Sequence, residues 1–464
     1  MIGLSGLSRY HAGRAWLTNI ALCVLGVGLV GLAGQFIAEQ RQFTIGFSGV
    51  SGWSDVLYVT AVVIVLTQPV NRWTLWIVLA FAMVMRGAVL LSRPYLSTDI
   101  YRYVWDGIVQ HAHISPYRYV PGDPALTFLQ QRYPEIYENI NRKEYARTIY
   151  PPVAQMVYWL VTLFTQSVRG MKIAMFGFEC IAAAAVIALL KQMARRITDV
   201  LLFAWCPLLV WEIGGAGHVD AVIVAFISLA LLFRYREQPV LTGLFLGAAV
   251  MTKFYPIVLL PALWRRGDWK MPAAVVTVCA AGYAIYASAG KLVFGFLSGY
   301  AEEEGLNSGT RYFLLDEVHS IRGLEDISKT TYIVFCALVM CWIAWWCWKN
   351  ASIERRDVEG RVPYFVTGAT MFALALMLLF SPHYPWYLVW LIPLLALDPN
   401  WVTLTYVCAF FYGFTTRWAE PGPKMFVLNS WIYFAVVCAF VVQIVWTRMR
   451  LARWFDTRRT ANAA

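Results

Sequence analysis

Charged residues are scarce in this chain of 464 residues. Asp, Glu, Lys and Arg together make up 14% of it, whereas hydrophobic residues make up 59%. A soluble domain needs more charge than this to cover its surface. Apolar runs of about 20 residues, long enough to cross a hydrocarbon core of ~30 Å, recur along the whole chain. The composition therefore excludes an ordinary soluble domain and predicts an all-α polytopic membrane protein.

Several chemical motifs are missing as well. The nine cysteines form no CxxC pair, and the chain has no GxGxxG, no P-loop and no Ser/His/Asp arrangement. These absences argue against a disulfide framework and a nucleotide site. The net charge of +11 is scattered over short loops, which indicates attraction to anionic membrane lipids and no nucleic-acid partner. We expect no cofactor, and no spacing of His, Cys, Asp and Glu specifies a metal site.

Hydropathy divides the chain into about 12 to 14 membrane spans. All of them belong to a single transmembrane domain, residues 1–464, with large loops at about 93–171 and 291–329. The predicted spans are 15–37, 55–69, 73–92, 172–192, 199–213, 218–234, a hairpin of two short segments at 240–264, 271–289, 330–348, 363–381, 384–397, 400–416 and 427–447.

Lys and Arg residues predict the orientation, because short loops rich in them tend to stay cytoplasmic. Both termini are then cytoplasmic and both large loops lie outside. This arrangement requires residues 151–167 to dip into the outer face of the membrane. If that segment crossed instead, the basic cluster KQMARR at 191–196 would face outward.

The first large loop begins with a predicted helix over residues 98–113 that lies on the membrane. Its polar residues form one stripe at helical spacing: Asp99, Arg102, Asp106, Gln110 and His113. The other positions, Tyr101 among them, are apolar or aromatic and suit the headgroup level. The three charged residues could form an intrahelical ladder. Alternatively, Asp99 could act as a general base, because it follows a span closely and charge is costly there.

Three further charged or titratable residues stand beside apolar segments. His218 and Asp220 lie at the outer mouth between two spans, where they could cap a helix or help to hold a substrate phosphate. Lys253 lies within the hairpin 240–264. A lone lysine there either extends to an interface or meets a negative partner such as a lipid phosphate.

The last candidates lie late in the chain. His383, Tyr384 and Trp386 begin a span at its outer edge; an aromatic belt explains the rings, but a histidine is less expected at that depth. In the second large loop, Arg311 could border an acceptor cleft. The acidic run 302–304 in the same loop is typical of a solvated surface.

The first-loop sequences STDIYRYVWDG, SPYRY, PGDPAL and YPP resemble the GT-C superfamily of integral-membrane glycosyltransferases. The likeness is greatest to bacterial polyprenol-phosphate-mannose-dependent α-mannosyltransferases. Weaker similarities follow in the expected order: GHVDAV at 217–222, GLFLGAAVMTKFYPIVLLP at 243–261 and SPHYPWYLVWLIPL at 381–394.

This resemblance implies a GT-C-like fold and an inverting transfer of a hexose, mannose by likeness, from a polyprenyl-phosphate carrier. The acceptor would be a hydroxyl of a glycan, glycolipid or other molecule, and the active site would face the periplasm or cell exterior from a bacterial inner membrane. Asp99 corresponds to the catalytic base. We expect the donor phosphate or sugar to be held by Arg102, Lys253, His383, Tyr384, His218 and Asp220, with further candidates in Asp106, Tyr101, Trp386 and Arg311.

A lipid or glycolipid flippase is the alternative function. In a flippase, Glu179, Glu212 and Lys253 would line a translocation path. Transporters often show internal repeats. No repeat is visible in this sequence, and its polar residues concentrate near the outer face, which favours the enzyme.

The predicted orientation can be tested by labelling whole cells with a membrane-impermeant thiol reagent. A cysteine introduced near Asp123 should be labelled from outside, whereas one near Arg195 should not, because the two sites lie on opposite sides of the membrane. Labelling of the Arg195 site alone would invert the predicted topology.

Overall fold

A computed structural model describes residues 4–38, 46–351, 362–418 and 428–445. Throughout these ranges the regular structure is helical, with no strand. Helices suit an apolar chain in a bilayer because every backbone N–H and C=O group must be satisfied within the protein. The protein is an all-α polytopic membrane protein, as the composition predicts.

Six described helices are long and apolar enough to cross a membrane: Arg14–Gln35, Gly46–Thr67, Arg72–Leu90, Val168–Gln192, Lys329–Asn350 and Leu428–Val445. The number rises to eight if each of two bent helix pairs is one span. These pairs are Ile197–Ala204 with Pro207–Gly215, bent by 55°, and Lys270–Ile285 with Ala287–Glu303, bent by 111°.

Four shorter apolar helices accompany the long ones: Pro152–Phe164, Pro239–Val250, Tyr364–Phe380 and Pro385–Leu397. By length and composition, the described residues thus contain six to eight of the 12 to 14 predicted spans. Pro152–Phe164 has 13 residues, or roughly 20 Å of helix, which is less than the hydrocarbon thickness. Its length favours the dipping helix over a crossing.

The core of the protein is formed by the middle of the chain. Every residue from 198 to 225 is buried. The helix Asp220–Tyr235 packs between Val168–Gln192 and Pro239–Val250. The helix Trp401–Trp418 contacts Gly46–Thr67 on another side. Asp220 and Tyr255 are thereby placed at one end of a rigid, apolar interior.

The predicted first-loop helix is present as Asp99–His111, hereafter the Asp99 helix. It is enclosed by protein, however, and does not lie on the membrane with a lipid-facing side as predicted. Residues 102–109 are all buried. At Gly107, a side chain would collide with Thr162 of the neighbouring helix Pro152–Phe164. This close packing leaves no room for lipid along that face.

The Arg86–Glu179 ion pair links two long helices inside the protein. The guanidinium lies 2.5 Å from the carboxylate and also donates to the carbonyl oxygen of Ala204, and both charged side chains are 3% exposed or less. A buried charge without its partner is strongly unfavourable. The pair therefore fixes Arg72–Leu90 against Val168–Gln192.

Arg86→Ala should lower the free energy of unfolding by ~3–5 kcal/mol, because Glu179 would remain buried and unpaired. Replacing both residues with leucine should recover much of that loss. Thermal unfolding in detergent would measure both variants. If Arg86→Ala is as stable as the wild type, the pair does not hold these helices together.

Candidate active site

A cavity of about 260 Å³ lies between the start of the Asp99 helix, residues 141–150 and residues 384–387. Its lining combines polar, positively charged and aromatic residues. The lining side chains include Asp99, Arg102, Asn141, Arg142, Arg147, Tyr150, Lys253, Tyr300, Tyr384, Trp386 and Tyr387. The cavity thus brings together residues from five distant parts of the chain.

Asp99 stands in the first turn of its helix, half-buried on the cavity wall. Asn141 donates from Nδ2 to one carboxylate oxygen at 2.9 Å, and the Tyr150 hydroxyl donates to the other at 3.4 Å. Both partners are neutral. No described Lys, Arg or His lies within ion-pairing distance of this carboxylate, so it is oriented by hydrogen bonds alone.

Arg102 and Asp106 form a buried pair one turn further along the helix. Arg102 Nε donates to Asp106 at 2.8 Å, and Arg102 Nη1 donates to the carbonyl oxygen of Ala146 at 3.0 Å. Gln155 donates to the second Asp106 oxygen at 2.8 Å. The predicted ladder therefore joins Arg102 to Asp106 but does not include Asp99. Arg102 lines the cavity, although much of its guanidinium is used within the protein.

Lys253 reaches the cavity from the hairpin 240–264. Its ammonium lies 2.5 Å from the carboxylate of Asp220, which is completely buried. Tyr255 donates to the other Asp220 oxygen at 2.9 Å. Lys253 therefore has a negative partner from the protein as well as access to the cavity. Asp220 does not line the cavity and acts by positioning Lys253.

His218 is buried. It is therefore not a solvated residue beside a helix cap. Its ring stacks on Trp386 at 4.3 Å between centroids, and Trp386 stacks on Tyr384 at 4.4 Å. His218 Nε2 lies 3.3 Å from the buried carboxylate of Glu212. Trp386 and Tyr384 line the cavity. His218 does not line it but packs against Trp386.

Glu304 corrects the prediction that residues 302–304 are a solvated run. Its side chain is 3% exposed and forms an ion pair with Arg311, while His383 Nδ1 lies 3.2 Å from it. Burial raises the pKa of Glu304, but the hydrogen bond from His383 and the charge of Arg311 outweigh it and lower the pKa below the ordinary value. Arg311 and His383 thus hold the second large loop against Tyr384, Trp386 and Tyr387, hereafter the aromatic wall. Neither Arg311 nor His383 lines the cavity.

The sequence did not single out several lining residues: Asn141, Arg142, Arg147, Tyr150, Tyr300 and Tyr387. Two of them lie in motifs that the sequence analysis identified: Tyr150 begins YPP, and Tyr387 belongs to SPHYPWYLVWLIPL. Tyr101, a predicted candidate, is half-buried against the hydrophobic core and lies outside the cavity. Among the described residues, no group of three His, Cys, Asp or Glu side chains could hold a metal ion.

Comparison with protein families finds a match to a family of glycosyltransferases. Residues 148–382, half of the chain, match the model of glycosyltransferase family 87. The chain belongs to glycosyltransferase family 87. No curated protein matches it.

Family membership makes the protein an integral-membrane glycosyltransferase. In this glycosyltransferase, the matched stretch includes Tyr150, Lys253 and Arg311 but neither Asp99 nor Tyr384. The cavity therefore combines matched residues with side chains from both flanks of the matched region.

Glu304→Gln should destabilise the glycosyltransferase by ~3–5 kcal/mol, because Arg311 would lose a buried anionic partner. Since the pKa of Glu304 is lowered, the stabilisation is complete above its ordinary value of 4.5 and is lost as the pH falls through the lowered value. Thermal unfolding between pH 3 and pH 7 measures this difference. The exposed neighbour variant Glu302→Gln is the control, and equal stability of the two variants would contradict the assignment.

Proposed function

We propose that this family 87 enzyme is an inverting hexosyltransferase of the GT-C type. It transfers a sugar, mannose by resemblance, from a polyprenyl-phosphate carrier to an acceptor hydroxyl on the outer face of a bacterial inner membrane, with both termini cytoplasmic. One observation carries the proposal: a carboxylate oriented by neutral donors, Asp99, shares a cavity with a lysine and an aromatic wall. Such a transfer needs a base for the acceptor hydroxyl, a cation for the phosphate and aromatic rings that contact the sugar or the lipid tail.

Asp99 acts as the general base in this mechanism. It removes the proton of the acceptor hydroxyl while that oxygen attacks the anomeric carbon from the face opposite the phosphate. The bond between the anomeric carbon and the phosphate oxygen breaks, and its electron pair stays with the phosphate. Asn141 and Tyr150 fix the orientation of the carboxylate, so that it can meet the hydroxyl without reorganisation.

Lys253 offsets the negative charge of the carrier phosphate. Charge stabilisation in a site that excludes water is often the larger part of catalysis. Because Asp220 holds the lysine at 2.5 Å, the ammonium is fixed in place but partly neutralised. The mechanism employs no cofactor and no metal. The sugar or the lipid tail contacts the rings of Tyr384, Trp386 and Tyr387.

The acceptor is a glycan, a glycolipid or another hydroxyl-bearing molecule in this proposal. The cavity is lined by residues 146–149 as well as by several tyrosines. Backbone and tyrosine hydroxyl groups suit a polyhydroxylated acceptor, since they supply both donors and acceptors of hydrogen bonds.

The flippase alternative has less support. Of the three residues that would line its path, Glu179 is paired with Arg86 and Glu212 is buried beside His218. Only Lys253 reaches the cavity. A continuous polar path would need side chains that face a common space, and these three do not.

Asp99→Asn should reduce sugar transfer by ~10²–10⁴-fold, because the amide cannot accept a proton. The comparison variant is Asp106→Asn on the same helix, which should lower stability while leaving turnover per folded molecule much closer to the wild type. Transfer from polyprenyl-phosphate-mannose and thermal unfolding would be measured for both.

Near-normal transfer by Asp99→Asn would exclude Asp99 as the base. Loss of turnover in folded Asp106→Asn alone would assign the base to the other carboxylate. If the wild type uses other lipid-phosphate sugars and not polyprenyl-phosphate-mannose, the donor assignment is wrong.

A further inference from the structure

Four cations line the cavity: Arg102, Arg142, Arg147 and Lys253. Three of them are each paired with a carboxylate within 2.8 Å, namely Arg102 with Asp106, Arg142 with Glu303 and Lys253 with Asp220. Arg147 is different. It lines the cavity and forms no ion pair with any carboxylate in the described part of the chain, so no such carboxylate neutralises its positive charge.

The guanidinium of Arg147 is held by one of its edges. Its Nε donates to the carbonyl oxygen of Arg118 at 3.2 Å. The terminal nitrogens Nη1 and Nη2 make no hydrogen bond to the described residues. A guanidinium held in this way presents two parallel donors, the geometry that binds a carboxylate or a phosphate through two oxygens.

The backbone on both sides of Arg147 is fixed. Ala146 accepts a hydrogen bond from the buried Arg102, and the hydroxyl of Thr148 accepts one from Gln155 at 2.8 Å. Gly295, with φ +53°, packs so closely on the Thr148 carbonyl that any side chain there would collide with it. A cation on an ordered support loses little entropy when it binds a ligand.

We propose that Arg147 binds the phosphate of the polyprenyl carrier through its two terminal nitrogens and stabilises it as the leaving group. This inference rests on the proposed lipid-phosphate donor and names a further residue of that site. The carrier phosphate is a singly charged diester before transfer. When the bond to the anomeric carbon breaks, it becomes a monoester that can carry two negative charges.

The added charge makes the contact with Arg147 stronger after bond cleavage than before it. An interaction that strengthens towards the transition state raises turnover, whereas one that is equal in both states changes only the binding of the substrate. Arg147 should therefore affect kcat as well as binding of the released lipid phosphate.

The test compares Arg147→Gln with the wild type in binding of polyprenyl phosphate and of polyprenol, which has the same tail but no phosphate. The wild type should prefer the phosphorylated lipid, and Arg147→Gln should reduce that preference by ~10- to 100-fold, the usual effect of losing a charged hydrogen-bonding partner. Polyprenol affinity should not change, and kcat should fall.

Two controls sharpen the comparison. Arg132→Gln, an exposed residue of the same loop outside the cavity, should bind like the wild type. Inorganic phosphate as a competitor distinguishes a free-phosphate site from a lipid-phosphate site. Competition by inorganic phosphate as strong as by the phosphorylated lipid would assign the site to free phosphate and overturn the proposal.

An unchanged phosphate preference in Arg147→Gln, or a change confined to the Michaelis constant for the acceptor, would overturn the proposal. If Arg147→Gln does not fold, Arg147→Lys keeps the charge but loses the paired donors. A preference in that variant equal to the wild type's then counts against two-nitrogen binding. Asp99→Asn separates the role of Asp99 as base from the role of Arg147 in phosphate binding. This variant should bind the phosphorylated lipid normally while losing transfer.

Discussion

Arg102 connects the two sides of the candidate active site. It is buried on the Asp99 helix, where it pairs with Asp106, and it also donates to the Ala146 carbonyl on the segment opposite. That segment supplies Asn141, Arg147 and Tyr150. A buried guanidinium without partners is strongly destabilising, so this one side chain holds Asp99 close to the residues that orient it.

The same constraint decides which charges are available to a substrate. Lys253 and Arg142 reach the cavity, but each is held by a carboxylate, and Glu304 is used by Arg311 and His383. These ion pairs make the cavity wall rigid. They also neutralise charges that a substrate could otherwise contact. Rigidity suits a site whose reacting groups must be aligned before bond breaking begins.

The sequence predicts the helices well and the site only in part. Hydropathy and helical spacing are local properties, so the predicted helix at 98–113 differs from Asp99–His111 by one or two residues at each end. Ion pairs join residues that are distant in the chain. Nothing near Lys253 indicates Asp220, which is 33 positions away, and the acidic neighbours of Glu304 suggested solvent because its partners lie elsewhere. Arg147 had no local signal either, because the cavity that it lines is formed by segments distant in the chain.

The separation of charges in the cavity follows from the two tasks proposed for it. A cation in contact with Asp99 would favour the ionised carboxylate and make it a poorer proton acceptor. Asn141 and Tyr150 are neutral donors, so they orient the carboxylate without neutralising its charge. A leaving phosphate has the opposite requirement, because it gains negative charge and is stabilised most by a cation that no carboxylate already neutralises. Arg147 meets that requirement, and its fixed backbone keeps it on the wall it shares with the base.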